Sequence, residues 1–362
     1  MNVHIVGTGL LGTSLGLGLS RNGYRVTLED LSPTAAQLAA DMGAGEAGHP
    51  DNPDVIVIAT PPDVTAQVIV NALRTWPNAT ITDVASVKTA ILDAVKQHTR
   101  DRELDRYIGS HPMAGREKSG AIAARADLFM GRPWVVCSDD DTPQERLEQV
   151  VTIAQAVGAS VMHLDPLFHD SSVARVSHAP QVVASIMAAQ LIDMPSEGVA
   201  LAGQGLRDTT RIADSDPGLW TQILAGNAAE VATVLRDIRG DLDRVIDALD
   251  VRPGSLRTIA GSLAAGNDGR ARIPGKHGMA PATYETVTVY VDDAPGTLSR
   301  LFADIGDLGV NIEDIRIDHA TGVKLGSVEL SVVPAHVQVL VHGLSENGWR
   351  LPEQALDSKE EK

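Results

Sequence analysis

The sequence predicts an α/β chain: a parallel-sheet domain first, then an all-helical segment, then a small α+β domain. Three observations predict it. A β-rich run, Val3-His-Ile-Val6, leads straight into Gly7-Thr-Gly-Leu-Leu-Gly12 and a helical stretch. Later runs such as 54–59 are almost wholly apolar, as strands buried on both faces of a parallel sheet are. Strand patterns stop at 165, helical periodicity runs to about 265, and alternating strands return from 284.

The first element carries the most chemistry. Strand, G-x-G-x-x-G turn, helix (13–20), strand (25–29) and Asp30 follow one another within a single βαβ unit. Gly7 permits the tight turn, Gly9 lets the backbone approach a pyrophosphate, and Gly12 lets the helix pack on the strand. The N–H groups at Leu10 and Leu11 open the helix toward the phosphates. Asp30 is placed to bond the ribose hydroxyls of a dinucleotide, with Glu29 as its rival. No arginine follows Asp30, which favours NAD over NADP.

The pattern then repeats as a Rossmann-type sheet. The strand at 54–59 stops at Thr60-Pro61-Pro62, because proline cannot donate to a ladder. Strands follow at 80–84, 107–111 and 133–137, with helices at 64–73 and 89–97. In such sheets ligands bind beyond the carboxyl ends of the strands. The glycine turn, Asp30, Thr60, Pro61, Ser86 and His111 all fall at those ends.

The middle segment predicts helices at 169–194 (broken near Pro180), 196–206 and 220–249. Their apolar faces lead to an expected homodimer. Arg207 and Arg211 stand four apart, so on a helix they share a face and suit a dicarboxylate; pairing with Asp208, Asp214 or Asp216 is the alternative. His178, before Ala179-Pro180, reads equally as a core histidine or a site residue.

Global properties narrow the class. A formal charge of -17 argues against nucleic acid and anionic membranes. No uncharged apolar run is long enough for a membrane span, and the N-terminus lacks the pattern of a signal peptide. The single cysteine, Cys137, excludes an intrachain disulfide and fits a reducing cytoplasm.

Ser110-His-Pro-Met-Ala-Gly115, with Glu117-Lys-Ser-Gly120, resembles the signature of the prephenate/arogenate dehydrogenase family. Gly7–Gly12, Asp83-Val-Ala-Ser-Val-Lys88, Ser177-His-Ala-Pro180 and Asp208-Thr-Thr-Arg-Ile-Ala213 are similar to further family blocks, in the same order, so the resemblance covers roughly 1–280. It implies oxidative decarboxylation of prephenate with NAD as hydride acceptor. In that reading His111 takes the proton of the 4-hydroxyl and Ser86 orients the hydroxyl or the histidine. Arg211 binds the ring carboxylate, with Arg207 nearby. Glu117, His178 and Trp220 line the pocket. Where relatives often carry a second histidine, this chain has Gln181.

The C-terminal part resembles an ACT domain, a βαββαβ module, through Asp293-Ala-Pro-Gly-Thr-Leu298 and Gly309-Val-Asn-Ile312. The resemblance implies an effector, tyrosine or another aromatic amino acid, near Asp293, Pro295, Gly296 and Asn311. The expected boundaries are 1–164 (nucleotide), 165–265 (helical), 266–282 (Gly-rich linker), 283–350 (ACT-like) and 351–362 (disordered tail). Strands are expected at 284–291, from 310 and at 323–332, with helices at 297–308 and 335–346. No metal is implied. Arogenate dehydrogenase is the alternative within the family. A non-catalytic amino-acid-binding regulator and a general β-hydroxyacid dehydrogenase are the alternatives outside it.

Overall fold

The computed structural model describes residues 1–115, 120–138, 142–250, 254–273, 284–319 and 325–352. The chain forms two compact units, one of Met1–Gly240 and a second starting at Asp241.

The first unit is built on six parallel strands: β1 (Asn2–Val6), β2 (Arg25–Glu29), β3 (Glu46–Ala47), β4 (Val55–Ile58), β5 (Thr80–Asp83) and β6 (Tyr107–Ile108). Their order is β3-β2-β1-β4-β5-β6, the doubly wound arrangement. The order reverses between β1 and β4, so the crevice for a ligand opens there. All four residues of β4 and of β5 are buried, and separate apolar clusters cover the two faces of the sheet. Short β3 was not apparent in the sequence.

A second sheet follows, with order β7-β8-β9: β7 (Ser110–Pro112), β8 (Pro133–Cys137) and β9 (Ser160–Leu164). This corrects the expectation of one strand over 107–111. The chain leaves the parallel sheet at Ile108, and Ser110–Pro112 pairs antiparallel with β8, His111 opposite Val135. Gly109 sits at the break with little room: a Cβ there would lie 3.2 Å from the Tyr107 hydroxyl.

Helices fill 165–249. Asp165 caps the first, Pro166–Val173, by accepting from the N–H groups of Leu167 and Phe168. A π-helical turn, Ala174–His178, precedes helix Ala179–Ala189, so Pro180 is absorbed without ending the rod. The helix expected at 196–206 is two short ones, Ser196–Val199 and Gln204–Thr210, and that at 220–249 is interrupted at Asn227. Much of this segment lies in the same compact unit as the parallel sheet rather than standing apart.

In the second unit, helix Ser255–Ala271 runs through Gly261, Gly266 and Gly269. The expected linker is therefore helical to 271, and 274–283 lies outside the described residues. Three antiparallel strands follow: β10 (Glu285–Asp292), β11 (Asp314–His319) and β12 (Leu325–Val332), in the order β10-β12-β11. Helix Thr297–Asp307 connects β10 to β11, and helix Val337–Glu346 follows β12. Among the described residues an isolated antiparallel bridge, Tyr290 to Arg350, stands where a fourth strand was expected. β11 starts at Asp314, not at 310. The expected tail beyond 352 lies outside the described residues.

Candidate functional site

At the end of β1, Gly7 has φ 101°, and a Cβ there would sit 2.4 Å from the Ala59 carbonyl oxygen. A Cβ on Gly12 would lie 1.9 Å from the Gly7 oxygen, so the helix touches the turn there. Gly9 differs: among the described residues nothing lies within 4 Å of the space its Cβ would take. It precedes helix Leu10–Arg21, which has no side-chain cap and no acidic residue in its first turn. Open space in front of uncapped N–H groups, Leu10 and Leu11 among them, fits a pyrophosphate.

Asp30 closes the turn. Its Oδ2 accepts from Thr8 N at 2.7 Å and from Thr8 Oγ1 at 2.9 Å, and its Oδ1 accepts from Ser32 N at 2.9 Å. Asp30 thus holds the glycine turn as well as placing a negative charge at the end of β2. Its rival Glu29 is engaged instead with His4 and His49. Thr60 and Pro61 follow β4; the Thr60 hydroxyl pairs with that of Thr65 at 3.0 Å.

The end of β5 is held by a buried polar network. The Asp83 carboxylate binds the Lys88 ammonium, the Tyr107 hydroxyl (2.8 Å) and Ala85 N (2.9 Å). Lys88, 1% exposed, also donates to the Ser110 carbonyl at 2.7 Å. The Ser110 hydroxyl donates to the Asp83 carbonyl at 2.7 Å and accepts from Trp134 Nε1 at 3.0 Å. Half-buried Ser86 rides on this turn, while the same network fixes Ser110 and hence the neighbouring His111. Burial first, then Asp83, pushes the Tyr107 hydroxyl well above its ordinary value, so it stays a donor.

His111 is buried, and its Nδ1 lies 2.9 Å from His169 Nε2. His169 Nδ1 lies 2.8 Å from Asp170 Oδ1. Asp170 also accepts from Lys88 N (2.9 Å) and Thr89 N (2.8 Å). Burial raises Asp170, but the bonds from His169, Thr89 and Lys88 outweigh it and the carboxyl ends below its ordinary value. An ionised Asp170 demands the proton on His169 Nδ1. His169 Nε2 is then the acceptor, so His111 carries its proton on Nδ1. Nε2 of His111 is left with its lone pair and has no hydrogen-bond partner among the described residues. Burial, then charge repulsion from His169, Lys88 and His178, holds His111 well below 6.5, so it is neutral at pH 7.

The helices contribute a second layer. Asn227 Nδ2 donates to the Asp170 carbonyl at 2.8 Å and lies 3.1 Å from His178 Nδ1. His178 is 1% exposed and lowered to about 4, chiefly by burial. The Trp220 ring meets it edge-on, centroids 6.1 Å apart. Gln181 donates to Ser215 Oγ at 2.7 Å, tying the helix after His178 to the segment after Arg211. Arg207 lies on helix Gln204–Thr210, but Arg211 falls in the following 3-10 turn, Arg211–Ala213, so the two do not share one helix; both are exposed on the protomer. Both elements pack against helix Ala179–Ala189. Glu117 lies outside the described residues.

Sequence reasoning missed His169, Asp170 and Asn227. A signal existed: His169 and Asp170 sit with Val173 on the buried face of one helix, where periodicity leads one to expect only apolar residues.

In the second unit, a cavity of about 380 Å³ is lined by Pro295, Gly296, Arg300, Trp349 and Arg350 among others. Arg300 stacks on Trp349 at 4.1 Å, and Arg350 pairs with Asp292. Asp293 and Asn311 are not among its lining residues; Asn311 bonds Glu313 at 2.6 Å.

A doubly wound sheet with an open glycine turn, and a buried imidazole with its tautomer fixed from behind, fit one class: dinucleotide-binding oxidoreductases. Comparison with known proteins narrows that class. The family model for the nucleotide-binding domain of prephenate dehydrogenase matches residues 15–163, and the model for its dimerization domain matches 165–254. "Probable prephenate dehydrogenase NovF" of Streptomyces niveus is 35% identical over 358 residues, 95% of this chain and 98% of that protein. The prephenate dehydrogenase of Bacillus subtilis (strain 168) is 28% identical over 335 residues, covering 86% and 87%. Among solved structures, A. aeolicus prephenate dehydrogenase, in complex with hydroxyphenyl propionate and NAD+, has a TM-score of 0.67 at 26% identity, over 75% of this chain and 98% of that one. Synechocystis arogenate dehydrogenase has 0.62 at 27%, over 74% and 100%. The chain belongs to the prephenate dehydrogenase family.

Proposed function

We propose that the chain is an NAD-dependent prephenate dehydrogenase of tyrosine biosynthesis. Family membership supports the substrate, and the His111 geometry carries the mechanism: a neutral imidazole whose Nε2 is kept as the acceptor by His169 and Asp170. His111 Nε2 takes the proton of the substrate's 4-hydroxyl as the C4–H electron pair leaves with its hydrogen. When bound, the nicotinamide supplies the hydride acceptor. The C–O bond becomes a carbonyl, and loss of the ring carboxylate as CO2 returns an electron pair to the ring. The ring becomes aromatic and the carbonyl becomes a phenolate oxygen. His111 returns its proton there, so none is gained or lost overall. His169 and Asp170 are positioning residues: His169 touches His111, Asp170 acts on it through His169, and the Asp170 charge stabilises the imidazolium while it exists.

The remaining assignments belong to the same reading. Ser86 orients the hydroxyl or His111, and Arg211, with Arg207, meets the carboxylates. His178, Trp220 and Glu117 line the pocket. Gly7, Gly9, Leu10, Leu11, Gly12, Asp30, Thr60 and Pro61 hold the dinucleotide. The Asp30 charge favours NAD over a 2′-phosphorylated form. Exposed Ile186, Met187, Ile192 and Leu201 supply apolar surface for a homodimer through the segment matched by the dimerization-domain model. The second unit is ACT-like, and its cavity, with Arg300, Arg350 and Trp349, suits the carboxylate and ring of an aromatic amino acid such as tyrosine.

The test is steady-state kinetics with prephenate and arogenate, each with NAD and NADP. Prephenate with NAD should give the highest kcat/KM. A decisive preference for arogenate overturns the substrate, and one for NADP overturns the reading of Asp30. His111→Asn should lower kcat about 10²–10⁴-fold with NAD binding retained; an unchanged kcat removes His111 from the mechanism.

A further inference from the structure

His4, Glu29 and His49 converge, from three separate segments, beside the end of β2 and outside the proposed mechanism. Glu29 Oε2 is 3.2 Å from His4 Nε2 and 2.9 Å from His49 Nδ1, and all three candidate ligand atoms lie within 4.8 Å of one another. Donor atoms about 2.0–2.2 Å from a tetrahedral zinc ion stand roughly 3.4 Å apart. The two Glu29 contacts are therefore close to ligand spacing.

The surroundings are built rather than incidental. His4 is fully buried on β1, and its other nitrogen, Nδ1, lies 3.0 Å from the Thr27 hydroxyl, the second contact that fixes the ring of a ligating histidine. The short segment carrying His49 is anchored on both sides: Gly48 N donates to the Leu28 carbonyl at 3.0 Å, and Trp76 Nε1 donates to the Pro50 carbonyl at 3.1 Å. The Trp76 ring lies against both imidazoles, 4.7 Å from His49 and 5.4 Å from His4. His49 is exposed and Glu29 half-buried, which leaves an entry path and room for a water as fourth ligand.

We infer that His4, Glu29 and His49 form a binding site for one divalent ion of the zinc class. Two imidazoles and one carboxylate suit zinc and its cobalt substitute better than calcium or magnesium. The bound ion would brace β1, β2 and the His49 segment together, one residue from Asp30.

The probes are Zn²⁺ and Co²⁺, added to the full-length chain after chelator treatment. Wild type should bind one Zn²⁺ tightly by calorimetry, and saturation should raise Tm, since a ligand that binds only the folded chain stabilises it. Co²⁺ should give visible bands of a low-coordinate site and quench the Trp76 fluorescence, an effect lost in Trp76→Phe. His49→Ala and Glu29→Gln should weaken Zn²⁺ binding by at least about 10-fold, the lower end of what even supporting contacts contribute. His98→Ala, an exposed histidine elsewhere, should change nothing. Equal Zn²⁺ affinity in wild type and His49→Ala would overturn the site. So would a Co²⁺ spectrum no different from the hydrated ion, which would leave Glu29 as a hydrogen-bond acceptor between two histidines.

Discussion

Asp170→Asn tests the tautomer argument with the smallest change of shape. The carboxylate accepts from His169 Nδ1 and Lys88 N on one oxygen and from Thr89 N on the other. An amide has only one acceptor oxygen. If it faces His169 and Lys88, its NH2 meets the Thr89 N–H, donor against donor. If it is turned round, the NH2 faces His169 Nδ1, and the His169 proton moves to Nε2. His111 Nδ1 must then accept, its proton moves to Nε2, and the base nitrogen is occupied. Either way one buried donor loses its partner, a cost of about 1–3 kcal/mol in stability. Loss of the base bounds the kinetic effect at about 10²–10⁴. We expect kcat to fall about 10²-fold, about 2.7 kcal/mol at 1.36 per tenfold. The readout is the rate of reduced-nicotinamide formation with prephenate, alongside circular dichroism and NAD affinity to show that the fold is kept. His169→Asn should fall in the same range, and the double variant should be no worse than the weaker single. A folded Asp170→Asn with kcat within about twofold of wild type would refute the relay.

Four further outcomes are expected. Gly9→Ala should fold with unchanged Tm, because its Cβ meets none of the described residues within 4 Å, yet weaken NAD binding at least about 10-fold. Gly12→Ala, with a Cβ 1.9 Å from the Gly7 oxygen, should lose both stability and NAD binding; calorimetry on the pair checks this. Stability should fall on acidification. His178 is held at about 4 in the fold against about 6.5 unfolded, so the unfolded chain binds more protons between those values. Its contribution is complete above about pH 6.5 and is lost as pH falls toward 4, about 2 kcal/mol between pH 7.5 and 5. Lowered His111 acts in the same direction. Urea midpoints that do not move over that range would contradict the burial of these neutral rings. Arg211→Ala should mainly raise KM for prephenate; an unaltered KM would leave the ring-carboxylate role without support.

The local signals in the sequence determined a great deal. Strand-glycine-turn-helix spacing, fully apolar β4 and the punctuating prolines depend on neighbouring residues only, so the doubly wound sheet was legible, and so was His111 within its motif. What depends on distant partners was not. Whether Ser110–Pro112 joins the first sheet or a second is decided by β8, more than twenty residues on, and by the Asp83–Lys88 network beneath it. Gly266 and Gly269 look like linker residues because intrinsic propensity disfavours glycine in helices, yet helix Ser255–Ala271 runs through both. His169 and Asp170 read as the start of a helix, and only the packing of that helix against β8 and the 84–89 turn shows what stands behind His111. The sequence by itself determined that a histidine stands at a strand end of a domain that opens on a dinucleotide turn. The tertiary structure decided which of its nitrogens carries the proton, because a tautomer is set by hydrogen-bond partners across space and leaves no trace in the spacing of residues along the chain.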